Sequence, residues 1–325
     1  MRQVHGVWSL FIVALLFGAS GAIAAPLAYI TNQGANSVSV IDLNSNQVID
    51  TIGVGKGPAG VAIDGQGHRV YVSNVEGNSV SVIDTTTRKV VSEIKFDIAP
   101  VGLALTHDGA QLYVADWYSD RIWVVDTRNP QTRFEIAIGK APASMVFNRQ
   151  GSFLYVANRD SDEVGVIDAS THQVMTKIAV GKHPFGMALS GDGKSLYVVN
   201  VVSNNVSVID IQRNVVTAEI RVGEHPYCAT SNPDGTRVYV TNTGEDTVSV
   251  IDTAAQKVIA TINVDGSPEG ISYDALHQRV YVASWMDNAV TVIDAKTNLK
   301  LQSIPTAAQS RALGQFIDDS QSRNP

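Results

Sequence analysis

Two histidines, His183 and His225, stand 42 residues apart, each directly before a proline, in His183-Pro184-Phe185 and His225-Pro226-Tyr227. Imidazole exchanges protons near neutral pH and, when neutral, ligates transition metals. Two further steps of 42 residues beyond Tyr227 give Glu269 and Arg311. If the protein is an enzyme, these four side chains are its acid–base set, one histidine acting with Glu269 or Arg311 as helper. A metal would need a third or fourth ligand, and Glu269 is the only one nearby. The histidines are therefore weak metal candidates, and no cofactor is implied. Cys228 is the sole cysteine, which excludes an intrachain disulfide and any Cys-rich zinc or iron–sulfur site. It replaces a small residue found at the same place in other units and has no paired histidine motif, so it reads as a buried, inert thiol.

A second group departs from its neighbours in the same way. Trp117, Tyr118, Arg159, Trp285 and Met286 fill places held elsewhere by Gln33, Val75, Val201 and Thr243. With His183, Phe185, His225, Tyr227, Glu269 and Arg311 they would give an amphipathic mouth with aromatic walls and a few charges. Such a surface suits a small organic ligand or a side chain protruding from a protein partner.

These residues can meet only if the chain is periodic. Asp recurs at 42, 84, 126, 168, 210, 252 and 294, and Tyr at 29, 71, 113, 155, 197, 239 and 281. Pro follows the same step at 58, 100, 142, 184, 226 and 268 and lapses only at Ser310. Each unit reads as four short strands, in the second unit Ala59 to Ile63, Arg69 to Ser73, Ser79 to Ile83 and Lys89 to Ile94. Asp108-Gly109, Asp192-Gly193 and Asp234-Gly235 mark tight hairpins between the first two strands. Four strands per unit of this length are propeller blades.

The expected fold is all-β, a seven-bladed propeller of four-stranded antiparallel blades. Its first strand, from Leu27, matches a second strand, and Arg311 to Ile317 match a first strand, so the C-terminal strand closes the ring on the N-terminal blade. The loops before the first strand and after the second share one face, here called upper, and the singled-out residues all fall there. Residues repeated in every blade read as geometry: the aspartates fix turns, the tyrosines wedge between blades, and Gly60, Gly102, Gly186 and Gly270 allow close packing near the axis.

Tyr71-Val72-Ser73-Asn74, Tyr155-Val156-Ala157-Asn158 and Tyr239-Val240-Thr241-Asn242, each followed by a Val-Ile-Asp segment, resemble the YVTN family of β-propeller repeats, YncE-like exported propellers among them. The resemblance covers the chain beyond its leader. It implies a binding or surface protein, or else a lactonase-like or lyase-like enzyme or a propeller subunit associated with a quinone-linked dehydrogenase.

Residues 1–24 read as a signal peptide, with an apolar Val7 to Ala22 and a small-residue Ala22-Ile23-Ala24 cleavage site. Residues 25–325 then form a single propeller domain, exported to a periplasm or secreted, acting as a monomer without a transmembrane segment. With 31 acidic and 24 basic residues in 325 the net charge is −7, and basic residues are interspersed with acidic ones, which argues against nucleic acid as partner. The expected function is non-catalytic binding of a protein or small ligand through the upper face.

Overall fold

The computed structural model describes residues 26–318; the expected leader lies outside them. Seven antiparallel sheets of four strands each follow one another around an axis. Blade 2 comprises Pro58–Ile63, Arg69–Asn74, Ser79–Asp84 and Lys89–Lys95, and blades 3 to 7 begin at Pro100, Pro142, Pro184, Pro226 and Pro268. Apart from the strands, the regular structure among the described residues is two short 3-10 turns, Gln33–Ala35 and Arg159–Ser161.

The repeated residues do the work that repetition implies. All seven aspartates accept backbone N–H groups of the turn that follows: Ser45 on Asp42, Thr87 on Asp84 and Arg128 on Asp126 are typical, each at 2.8 Å. The same bonding holds at Asp168, Asp210, Asp252 and Asp294. The tyrosines reach across blades, as when the Tyr281 hydroxyl donates to Asn46 Oδ1 at 2.7 Å and that of Tyr239 to the Ala295 carbonyl at 3.4 Å. The asparagine of the repeat motif is a buried pin that ties the second strand to the third. Asn74 Nδ2 donates to Ser79 and Ser81, and Asn242 Nδ2 to Thr247 and Ser249. In blades 2 and 5 this pin packs against a glycine: a Cβ on Gly55 or Gly181 would lie 2.5 Å or 2.7 Å from the Asn74 or Asn200 side chain. Where the asparagine is replaced, by Asp116 and Ser284, the glycine is replaced too, by Asp97 and Asp265.

Near the axis the blades converge. A Cβ on Gly102 would sit 1.8 Å from the Ala143 carbonyl oxygen and one on Gly270 2.1 Å from that of Ala312, so only glycine lets these strands meet. In blades 2 to 7 the innermost strand carries a one-residue bulge just after its proline; in blade 5 Pro184 pairs with Asn200, but Met187 with Val198. A bulge re-aims the side chains beside it.

Closure differs in detail from the expectation of a continuous strand over Arg311 to Ile317. The last segment pairs with blade 1 at its two ends only, Ser310 bridging Asn32 and Ile317–Asp318 pairing with Ala28 and Leu27. In between, Ala312 (φ 53°) and Gly314 (φ 104°) leave strand geometry, and Leu313 turns to blade 2, exchanging hydrogen bonds with Val61 and Ala59. The segment thus joins blade 1 to blade 2 while it completes blade 1.

Candidate functional site

The upper mouth is built from the residue pair that flanks each blade's first proline. The residue before it sits at positive φ in blades 2 and 4 to 7: Gly57, Ala141, His183, His225 and Ser267. In blades 2, 5, 6 and 7 its amide donates to an Asn or Asp of the preceding blade, His183 to Asp162 and His225 to Asn204, each at 2.9 Å. Its carbonyl accepts from the residue after the second strand, as Trp117 on Ala99 and Trp285 on Ser267. Tryptophans and pre-proline residues are thereby brought side by side. The histidines hold this place by backbone conformation, since His is among the residues that tolerate the left-handed region. The His225 ring is exposed, and His183 Nδ1 is buried without a hydrogen-bond partner. Neither ring bonds to Glu269 or Arg311. Among the described residues no three His, Cys, Asp or Glu side chains come together as metal ligands would.

The residue after each proline faces the axis, and here the singled-out side chains form one bonded cluster. Phe185 stacks on Tyr227 with ring centroids 4.2 Å apart, Trp117 meets Phe185 edge-on at 5.8 Å, and the Arg159 guanidinium lies 5.6 Å from the Trp117 ring centre. Arg311 is the hub of the other half. Its Nε donates to Glu269 Oε2 at 2.5 Å, and its Nη2 to Glu269 Oε1 at 3.3 Å and to the Tyr227 hydroxyl at 3.2 Å. Its Nη1 donates to Gln33 Oε1, which also accepts from Trp285 Nε1 at 3.2 Å. Trp117, Arg159, Phe185, Tyr227, Glu269, Trp285 and Arg311 are therefore one network. Tyr118 and Met286 stand outside it on the same rim, 82% and 68% exposed. Gln33 belongs to the network although its type suggested background; its signal was its position on the blade that Arg311 completes.

The electrostatics follow from burial. Desolvation pushes the Glu269 carboxyl above its ordinary value, and the Arg311 charge opposes that shift. Desolvation is the largest effect on Arg311 and works against its charge, but the Glu269 charge, Tyr227 and the hydrogen bond to Glu269 together outweigh it and keep the guanidinium protonated. Burial, then the Glu269 charge, push up the Tyr227 hydroxyl and the Cys228 thiol, so neither is an activated nucleophile. The cluster closes the upper mouth with groups already committed to one another. It can present a rigid aromatic and ionic surface.

The axis is open from the lower side, where a cavity of about 580 Å³ runs between the innermost strands. Of the four histidines of that face, His68 and His107 are exposed. His172 packs on Phe134 with ring centroids 4.8 Å apart, and His277 Nδ1 lies 2.6 Å from the buried Asp274 carboxylate.

Residues 187–279 match the family described as YNCE-like beta-propeller, and residues 85–175 and 139–219 match the seven-bladed lactonase beta-propeller family. The chain is a seven-bladed β-propeller, and these stretches of it are similar to the YncE-like and lactonase propellers. Among solved structures, this propeller is similar to a chain of Kuenenia stuttgartiensis hydrazine synthase, with 25% identity and a TM-score of 0.71 over 78% of this chain and 88% of that one. It shares its fold with a functionally unknown protein from Desulfotomaculum acetoxidans, at 13% identity and a TM-score of 0.75 over 89% of this chain and 99% of that one. It also shares the fold with the dihydro-heme d1 dehydrogenase NirN, at 15% identity and a TM-score of 0.69 over 91% of this chain and 75% of that one. A search of curated proteins finds no match. No helix among the described residues is long and apolar enough to cross a membrane.

Proposed function

We propose that this propeller is an exported, non-catalytic binding protein that engages a partner protein through its upper face. The observation that carries the reading is the Trp117–Phe185–Tyr227–Arg311–Glu269 network, in which residues from five blades that break the repeat close the mouth instead of opening it. A pre-ordered surface with aromatic rings and a desolvated arginine is the composition of interface hot spots. Exposed Tyr118 and Met286 extend that surface outward on blades 3 and 7. Export rests on the expected signal peptide over residues 1–24.

A second reading is a propeller subunit of a larger enzyme, with its partner chain supplying the chemistry. The likeness to a chain of hydrazine synthase favours it, and it uses the same surface.

The test is affinity for the partner recovered with the native protein from its host, measured for Trp117→Ala, Tyr118→Ala and Trp285→Ala. Weakened binding at unchanged melting temperature supports the reading; unchanged affinity in all three removes it. A turnover screen with lactone and amine substrates and a His183→Ala control separates binding from catalysis, since activity lost in that variant would favour an enzyme.

A further inference from the structure

The cavity on the lower side of the axis is a binding site of a different kind. Its walls come from the innermost strands, including Leu103, Leu105, Met145, Phe147, Met187 and Leu189, together with Ser144, Thr230, Ser231 and the neutral Cys228 thiol. In a chain with 55 charged side chains (24 basic and 31 acidic), none of the residues lining this cavity is Asp, Glu, Lys or Arg, and its one histidine, His107, is an exposed residue. The strands that wall it pair on one side only, with the second strand of their own blade, so alternate backbone N–H and C=O groups face the axis. At about 580 Å³ it has the size of a small-molecule pocket, and the bonded cluster above makes it blind at the upper end.

We propose that this cavity binds an uncharged, largely apolar small molecule that offers hydrogen-bonding groups to the exposed strand edges. A charged ligand would be desolvated there with no Asp, Glu, Lys or Arg to meet it and only the exposed His107 imidazole on the wall. Met145 and Met187, on adjacent blades, give the wall flexible, polarizable side chains that adapt to a ligand's shape. Because Cys228 is held protonated, the site binds without modifying its occupant. The upper face is not involved, so this inference and the proposed docking function stand or fall separately.

Two fluorescent probes that differ by one sulfonate test it on the full chain: N-phenyl-1-naphthylamine, which is neutral, and 1-anilinonaphthalene-8-sulfonate, which is anionic. The neutral probe is expected to bind saturably at one equivalent, and the anion at least tenfold more weakly, a difference of about 1.4 kcal/mol. Gln315→Trp, at an exposed position on the cavity wall, is expected to remove neutral-probe binding without lowering the melting temperature. Ala229→Phe, deeper in the wall, serves as the second filling variant, and Trp117→Ala is expected to leave the probe unaffected. Equal binding of both probes, binding that survives both filling variants, or loss of binding in Trp117→Ala overturns the proposal. So does binding that appears only after residues 319–325 are removed, which would make the chain's own terminus the occupant.

Discussion

Removing Glu269 should damage the ring far more than removing Glu269 and Arg311 together. Glu269→Leu strips the carboxylate from a guanidinium that keeps only Tyr227 and Gln33 as partners. The two side chains are 11% and 20% exposed, so the pair is mostly desolvated. Breaking such a pair by removing one member costs about 3–5 kcal/mol, and the residual exposure of Arg311 places this case at the low end, about 3 kcal/mol. For a domain of this size that is a fall in melting temperature of roughly 6 °C. The double variant Glu269→Leu/Arg311→Met exchanges the pair for apolar side chains and should stay within about 1 kcal/mol of the parent.

The pH dependence of Arg311→Met adds a sign. Burial already raises the Glu269 carboxyl, and loss of the opposing guanidinium raises it further. The folded state then holds the proton more tightly than the unfolded chain. Stability contributed by that proton is present below the unfolded value and is lost as pH rises through the folded one. Arg311→Met should therefore lie close to the parent near pH 4.5 and fall behind at pH 8. Thermal melts followed by circular dichroism at pH 4.5, 6 and 8 for all four proteins close the cycle. Additive single variants, or an Arg311→Met deficit independent of pH, would refute the assignment of this pair as the lock of the mouth.

Other consequences are independent of the mouth. Gly181→Ala should destabilise the protein by about 1–3 kcal/mol through overpacking, and adding Asn200→Ser should recover part of the loss in denaturant titrations, because the Asn200 side chain is what the new methyl would meet. His183→Gly should change stability by less than about 1 kcal/mol, since glycine adopts the φ of 54° without strain; a large loss by thermal melting would mean that the imidazole does more than occupy the turn. Hydrogen bonds from the Ser170 hydroxyl and then from the Thr171 and Ser170 amides hold the Asp168 carboxyl down to about 2. Its contribution is present above the unfolded value and lost as pH falls toward 2, so Asp168→Ala should flatten the acid limb of the stability curve between about pH 4 and pH 2.

The fold was legible in the sequence because geometry that recurs in every blade must be written in every blade. Asp84, Tyr71 and Pro58 and their counterparts each meet the same local demand, a turn acceptor, an inter-blade wedge and a strand start. The coupling of Gly181 to Asn200 was not legible, since each partner lies on a separate element and only packing shows them touching. The rim of the ring could be read by subtracting the repeat, which picked out Trp117, Phe185, Tyr227, Glu269 and Arg311. What subtraction could not give was their mutual arrangement, for it depends on the bulge after each proline and on the irregular path of the last segment around Ala312 and Gly314. Gln33 was passed over for the opposite reason: an unremarkable residue acquires its role from where Arg311 reaches. The lower cavity had no signature at all, because it is defined by which charges are missing.

The face on which function resides can be tested by photocrosslinking in the native host, with benzoylphenylalanine in place of Tyr118 or Met286 above and of His68 or Lys194 below. The account predicts a discrete adduct from the two upper positions, lost when Trp117→Ala is added, and none from the lower pair. Adducts confined to the lower positions, or upper adducts indifferent to Trp117, would contradict it.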